Sequence, residues 1–470
     1  MNRSEQAPAP FSLTEGLVRA LRRPVDASAR RRAAWHWLDW IGCVAAGSRA
    51  PVARALAGWQ PVPAAETDPT GAPAERRWPA LAGMAASDMQ AVWLDAGLAN
   101  VEEMDDMHRE GILHPGPVVL PVVAHFARHA GLGADAALDA VVRAYETTIR
   151  VGRSAGAAHY AQWHTTATAG VFGAAAAAAD ALGLTDEQAT WALGNAGTQA
   201  AGLWQVRLEP VMSKQLHTGH AAWAGLVAAL LARSGFTGPR FILEGEKGFF
   251  RAMCDGAMPE RVLAPADDWL IHETSFKPWP SCRHTHPTVD CVLAIREALG
   301  DRPLDLADAV VDGFADAVKI CDTPVPQTRT EAKFSLQYCV AATARWGRLL
   351  PGHFDEIAFA DPASRAAAAR VRLRTCADLT RAYPARFGGR VTLTLADGSV
   401  HTASVADALG DPERPLDEQG LLDKAQALMR YGGVSESTSR AVCDAASALA
   451  ARSGADASRT LPRVLLEPLF

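Results

Sequence analysis

The chain has 470 residues, 49% of them apolar and 21% charged, and a formal charge of −6. That leaves room for about two or three domains and a large core, and it excludes a nucleic-acid surface, since no Lys/Arg stripe carries interleaved aromatics. The polar start Met1–Leu17 has no apolar leader core, Val171–Leu184 and Ala221–Ala232 are too short or too charged to span a membrane, and the eight cysteines lack framework spacing, so a reduced cytoplasmic protein is expected.

In chain order, Ser12–Arg22 reads as a helix capped by Ser12 or Thr14 and stopped before Pro24. Ala27–Gly47 reads as a second, with Trp37, Leu38, Trp40, Ile41 and Val44 at helical period. Pro51–Arg77 is a Pro/Ala/Thr-rich surface segment with one short helix. Met84–Glu103, Leu120–Ala130 and Ala134–Val151 continue the helical patterning, and nearly everything from Thr166 to Arg233 is compatible with helix. Strands are hard to find before Trp269. Beyond it, Asp305–Ile320 is mixed with a strand at its start, and Arg370–Arg374 and Arg390–Leu395 alternate at period two. Ala396-Asp397-Gly398 turns the chain into Ser399–Val405 as a hairpin. Leu416–Met429 and Ser435–Arg452 are helical again. The expected fold is mainly α: an all-helical domain from 1–268 and 406–470, with an inserted α/β domain over 269–405.

No dinucleotide fingerprint, phosphate-binding loop, H-E-x-x-H or nucleophile elbow is present. Four polar clusters remain. In Glu102–His108, followed by His114-Pro115, helical spacing would put Glu102 and Asp106 on one face; the run is either a solvated acidic helix end or a cation site. His114, before a proline in a loop, suits a positioned acid or base. His164 follows Trp163, whose ring offers an apolar wall that would keep the imidazole a usable base; a buried histidine bonded to backbone is the plainer reading of both His159 and His164. Lys214, with His217 three residues on, is either a lysine reaching out from a helix end or an anchor for a substrate carboxylate. In Lys277–Pro287, the set Cys282, His284, His286 and Cys291 lacks zinc spacing, whereas Lys277 and Arg283 on a proline-stiffened loop suit an anionic ligand.

In this order the clusters resemble the MmgE/PrpD family over nearly the whole chain. The resemblance is carried by LDWIGCVAAGS (Leu38–Ser48), WHTTATAGVFGAAAAAADALGL (Trp163–Leu184), QAAGLWQ (Gln199–Gln205), MSKQLHTGHAAWAGL (Met212–Leu226), GFTGPRFILEGEKGFF (Gly235–Phe250), KPWPSCRHTHPTVD (Lys277–Asp290) and KFSLQYCVA (Lys333–Ala341). It implies a helical domain with a smaller α/β lid, a site between them, a homodimer, and chemistry without metal or cofactor. Matched residue by residue, it implies catalytic roles for His114, His164, Lys214 and Tyr338. Glu103, Lys277, Arg283 and His284 become the substrate-binding residues. The family's D-x-D-D-T phrase is here Glu103-Met104-Asp105-Asp106-Met107, which lengthens one carboxylate and replaces a hydroxyl that contacts substrate in decarboxylase-like members.

The implied activity is a lyase acting on a small polycarboxylate by proton abstraction alpha to a carboxylate, with dehydration of a 2-methylcitrate-type acid foremost. An epimerase or decarboxylase on an iminodisuccinate- or cis-aconitate-type acid is the alternative. From another class, the acidic run leaves open a magnesium-dependent phosphoester or diphosphate enzyme, and a catalytically silent binding protein is a third reading.

Overall fold

The computed structural model describes residues 11–58, 86–209, 211–452 and 460–467. The first helices are α1 (Leu13–Leu21), α2 (Ala27–Gly47), α3 (Pro51–Gly58) and α4 (Ala86–Ala99). Ser12 caps α1 by accepting the Glu15 N–H, and Asp26 caps α2 by accepting from Ala29, which is why the capping residues mark these starts so well. Most of the Pro51–Arg77 segment beyond α3 lies outside the described residues.

A two-residue strand, β1 (Met107–His108), comes next, then α5 (Gly116–His129), α6 (Ala134–Ala155), α7 (Ala157–Gln162), α8 (Thr165–Ala181), α9 (Asp186–Gly197) and α10 (Ser213–Arg233). The Ala/Gly-rich sequence of α8 and α10 is explained by their close packing. A Cβ on Gly225 of α10 would fall 2.5 Å from that of Ala174 in α8, so a larger residue would push the two helices apart. After α11 (Phe249–Met253), β2 (Thr274–Ser275) pairs antiparallel with β1, Met107 opposite Ser275. This ribbon is a correction to the expectation of no strand before Trp269; each strand is two residues long and has no period to read.

The remaining elements are α12 (His286–Ala298), β3 (Leu306–Gly313), α13 (Ala315–Cys321), α14 (Arg329–Lys333), α15 (Leu336–Trp346), α16 (Glu356–Phe359), α17 (Pro362–Ala368), β4 (Val371–Thr375), α18 (Ala377–Ala382), β5 (Gly389–Leu395) and β6 (Val400–Val405). The sheet order is β4-β3-β5-β6, with β3 parallel to β4 and antiparallel to β5, and β5–β6 the expected hairpin. α12 covers β5 and β6 and packs on α15. The chain then returns to helix in α19 (Glu418–Gly432) and α20 (Glu436–Ala450), both packed on α2. One large apolar core therefore joins residues from both ends of the chain, among them Trp37, Phe172, Leu226, Leu428 and Leu449. The sheet has its own core around Val292, Val311, Val340 and Leu393. Among the described residues no helix is long and apolar enough to cross a membrane.

Candidate active site

The site is centred on Glu102–Asp106, and none of these five residues is helical. The helical spacing expected for the acidic run is therefore corrected. It is an irregular loop leading into β1, and all five side chains are buried. Glu103 has φ of 56°, left-handed for a residue with a Cβ. Such strain costs on the order of 1–3 kcal/mol and concentrates at functional sites.

Each acidic side chain of the loop meets its own set of partners. Glu102 accepts from Lys333 at 2.8 Å and Arg329 at 2.9 Å. Glu103 bridges two lysines, paired with Lys214 through one oxygen and with Lys277 at 3.4 Å through the other. The Met104 carbonyl accepts from Lys424 at 2.6 Å. Asp105 accepts from the Asn100 amide at 2.6 Å and lies 3.0 Å from His114 Nδ1. Asp106 accepts from the Tyr145 hydroxyl at 2.6 Å and from the Gly116 N–H at 2.9 Å, and lies 2.7 Å from His36 Nδ1. Burial alone would raise the Glu103 carboxyl, but Lys214 and then Lys277 outweigh it and bring the group down to about 2. Asp105 is likewise held below the usual carboxylate range against its burial, chiefly by His114.

Because the carboxylates diverge onto separate partners, the described residues contain no group of three or more His, Cys, Asp or Glu that could hold a metal. The Cys282 loop diverges in the same way. Cys282 Sγ is 3.2 Å from His284 Nδ1, whereas His286 contacts Arg283 and the Ser281 carbonyl, and Cys291 donates to the Gly389 carbonyl.

Three of the expected catalytic residues stand at or beside helix N-termini. His114 lies two residues before α5, His164 is the N-cap residue of α8, and Lys214 is in the first turn of α10. Helix N-termini present unpaired N–H groups and the positive end of the macrodipole, so this arrangement favours an anionic ligand. His114 Nδ1 lies 2.8 Å from the Asp106 carbonyl and 3.0 Å from Asp105, contacts that orient the ring through that nitrogen.

His164 Nδ1 is 3.2 Å from His217 Nδ1. Burial, then Lys214 and His217, keeps His164 well below the ordinary imidazole range, so it is neutral at pH 7. The apolar wall on it is Trp204, with ring centroids 4.4 Å apart, while Trp163 stacks on His159. Trp204 arrives because Gly202, at φ of 127°, carries the chain across the His217 ring, where a Cβ would sit 3.4 Å from Cγ. His159 is the plain buried histidine, bonded to the Met253 carbonyl and Thr168.

Lys277 is 1% exposed and joins the cluster through Glu103. Arg283 does not join it: its guanidinium is buried against Asp411 and the Ala408 and Leu409 carbonyls, so its charge is already neutralised. Tyr338 does not join it either, since its hydroxyl donates to the His353 carbonyl and its ring packs against Phe354. His284 sits among Phe314, Tyr383 and Phe387, beside Cys282. Met107 packs with Phe314 and Phe387 in the same apolar patch. Sequence reasoning missed Asn100, His36, Tyr145 and Trp204, none of which lies in a polar cluster.

The buried histidines set a pH response. Burial, opposed by Asp106, lowers His36 to about 4; burial and Lys214 lower His217 to about 4; and His164 and His286 are held well below the usual range, burial being the first cause in both. In the unfolded chain they titrate near about 6.5, so the unfolded state binds more protons between pH 6.5 and 4, and stability falls as pH drops through that window. Asp39 and Asp95, each raised to about 6 by burial, and Asp290, also raised by burial, oppose them with fewer groups. The thermal midpoint is expected to fall steadily from pH 7.5 to 5; a midpoint that holds or rises over that range would contradict the buried, neutral state of these rings.

A mainly helical protein whose candidate site gathers two lysines on one buried carboxylate, with histidines beside helix N-termini, is the class these features define. The chain belongs to the MmgE/PrpD family: the MmgE/PrpD N-terminal domain matches residues 17–262 and the MmgE/PrpD C-terminal domain residues 279–450. It is 27% identical over 272 residues to cis-aconitate decarboxylase of Homo sapiens, covering 57% of this chain and 56% of that protein. The mouse enzyme of the same name matches 55% of its own length, so the chain spans little more than half of these two relatives. Against cis-aconitate decarboxylase of Aspergillus terreus the identity is 27% over 441 residues, 86% of each chain.

Proposed function

We propose that the protein is a lyase that acts on a small polycarboxylate without metal or cofactor, and that decarboxylation of a cis-aconitate-type acid is its reaction. The observation that carries this is the lysine pair held on Glu103, beside two histidines at helix N-termini. In decarboxylation the C–CO2 bond breaks, its electron pair forms a new double bond at the vacated carbon, and the former double-bond pair passes into the conjugated carboxylate as an enediolate. Lys214 and Lys277 offset that charge where water is scarce, and a proton delivered by His114 to the carbon alpha to that carboxylate completes the reaction. The cis-aconitate decarboxylase relatives support this outcome.

Dehydration of a 2-methylcitrate-type acid is the second reading, favoured by Met107, a buried thioether where decarboxylase-like members carry a hydroxyl. It needs an acid for the departing hydroxide, and with Tyr338 turned to a carbonyl that role falls to a histidine. A lid over 269–405 and a homodimer belong to the same proposal. The sheet's separate core supports the first, and the exposed Val211, Met212 and Leu216 support the second. A single monomeric species in sedimentation velocity at micromolar concentration would remove the dimer.

The test is incubation of the purified protein with cis-aconitate, methylcitrate, citrate and amino-dicarboxylates in deuterium oxide, followed by NMR. Carbon dioxide release with a shifted double bond and deuterium at the carbon alpha to the carboxylate that took up the electron pair is expected; an alkene formed with loss of water instead selects dehydration. Absence of turnover and exchange with all of them would sink the proposal.

A further inference from the structure

Among the described residues, most cations around the site are neutralised by carboxylates of the chain. Lys214 and Lys277 share Glu103, Arg283 is held by Asp411, and Lys333 and Arg329 are held by Glu102. Arg207 differs. It lies in the short 3-10 turn Trp204–Arg207 and is exposed, and no carboxylate of the described residues lies within ion-pair distance of it. The nearby Glu209 is engaged instead by the Gln205 amide at 2.6 Å.

Arg207 is nevertheless well positioned. Its guanidinium carbon stands 4.8 Å from the centroid of Trp204 and 5.7 Å from that of Tyr160, and those two rings meet edge to face. Stacking on two rings restricts a long side chain and leaves the N–H edges of the guanidinium available for an oxyanion. Trp204 in turn lies on His164, which touches His217, one turn along α10 from Lys214. The groups therefore run in a row, from the lysine pair past His164 and Trp204 to Arg207.

We infer that Arg207 is a substrate-binding and specificity-determining residue, which receives the distal carboxylate of a polycarboxylate whose reacting end is held by Lys214 and Lys277. The inference rests on the functional reading above and extends it. A monocarboxylate short enough to occupy only the lysine pair gains nothing from Arg207, whereas an acid with a second, separated carboxylate does. A charged hydrogen bond of this kind, at an exposed site, gives roughly tenfold in affinity.

The test is calorimetric titration of the full chain with tricarballylate and with propionate, for wild type, Arg207→Gln and Arg207→Lys. Arg207→Gln should weaken tricarballylate about tenfold and leave propionate within about twofold, with Arg207→Lys recovering part of the loss. An unchanged thermal midpoint will separate this from a folding effect. Equal tricarballylate affinity in wild type and Arg207→Gln overturns the inference, as does a wild type that binds no polycarboxylate. Its failure is distinguishable from that of the lyase reading. Loss of binding in Arg207→Gln without turnover of any substrate by wild type keeps the inference and removes the lyase; turnover with unaltered binding does the reverse.

Discussion

Lys214→Met is expected to lower kcat by roughly 10²–10³-fold while the protein stays folded. Removing a single preorganised donor to a developing oxyanion costs about that much, and here the donor is a cation at a helix N-terminus. The side chain is only 19% exposed and is paired with Glu103, so solvent screens its charge little. In the variant, Glu103 retains Lys277 alone, at 3.4 Å, which leaves the loop one negative charge richer where the substrate must bring more. The effect should fall mainly on kcat, because the charge that Lys214 meets grows as the bond breaks. A variant with raised KM and unchanged kcat would make Lys214 an anchor that binds ground and transition states equally. Circular dichroism and the thermal midpoint check that the fold is kept.

Much of the helical scaffold was legible because its signals are local. Ala27–Gly47 is α2 to the residue, and the β5–β6 hairpin follows from its Ala396-Asp397-Gly398 turn. His164 and Lys214 stood out as titratable groups in a small-residue background, and His114 and Lys277 as groups on proline-bounded loops; the structure brings them together around Glu103 and Asp105. What could not be read depends on long-range pairing. Arg283 looked free because its partner, Asp411, is 128 residues away. Trp163 was the apparent wall on His164 because it is adjacent in sequence, yet the wall is Trp204, delivered by the turn at Gly202. The acidic run looked helical because carboxylates at i, i+4 fit a helix equally well; only the cations supplied by α10, α14, α19 and the Lys277 loop decide that it is an irregular, buried loop.

That dependence on remote cations makes Lys424→Met the most destabilising substitution expected here. Lys424 on α19 pairs at 2.5 Å with Asp39 on α2, both side chains 4% exposed, and also donates to the Met104 carbonyl. Burial already pushes the Asp39 carboxyl up to about 6, with Lys424 the first group restraining it. Removing one member of a buried pair typically costs about 3–5 kcal/mol, because the remaining charge has neither water nor partner, whereas replacing both members is often nearly neutral. Lys424→Met alone should therefore lower the denaturation midpoint sharply, and Asp39→Asn combined with Lys424→Met should recover much of the loss. Activity should not recover in parallel: the double variant restores charge balance but still lacks the donor on Met104, the residue between Glu103 and Asp105. A double variant that regains stability but keeps a reduced kcat would identify the Met104 contact as what sets the height of the Glu103 carboxylate beneath the two lysines. Full recovery of both would confine Lys424 to holding α2 against α19.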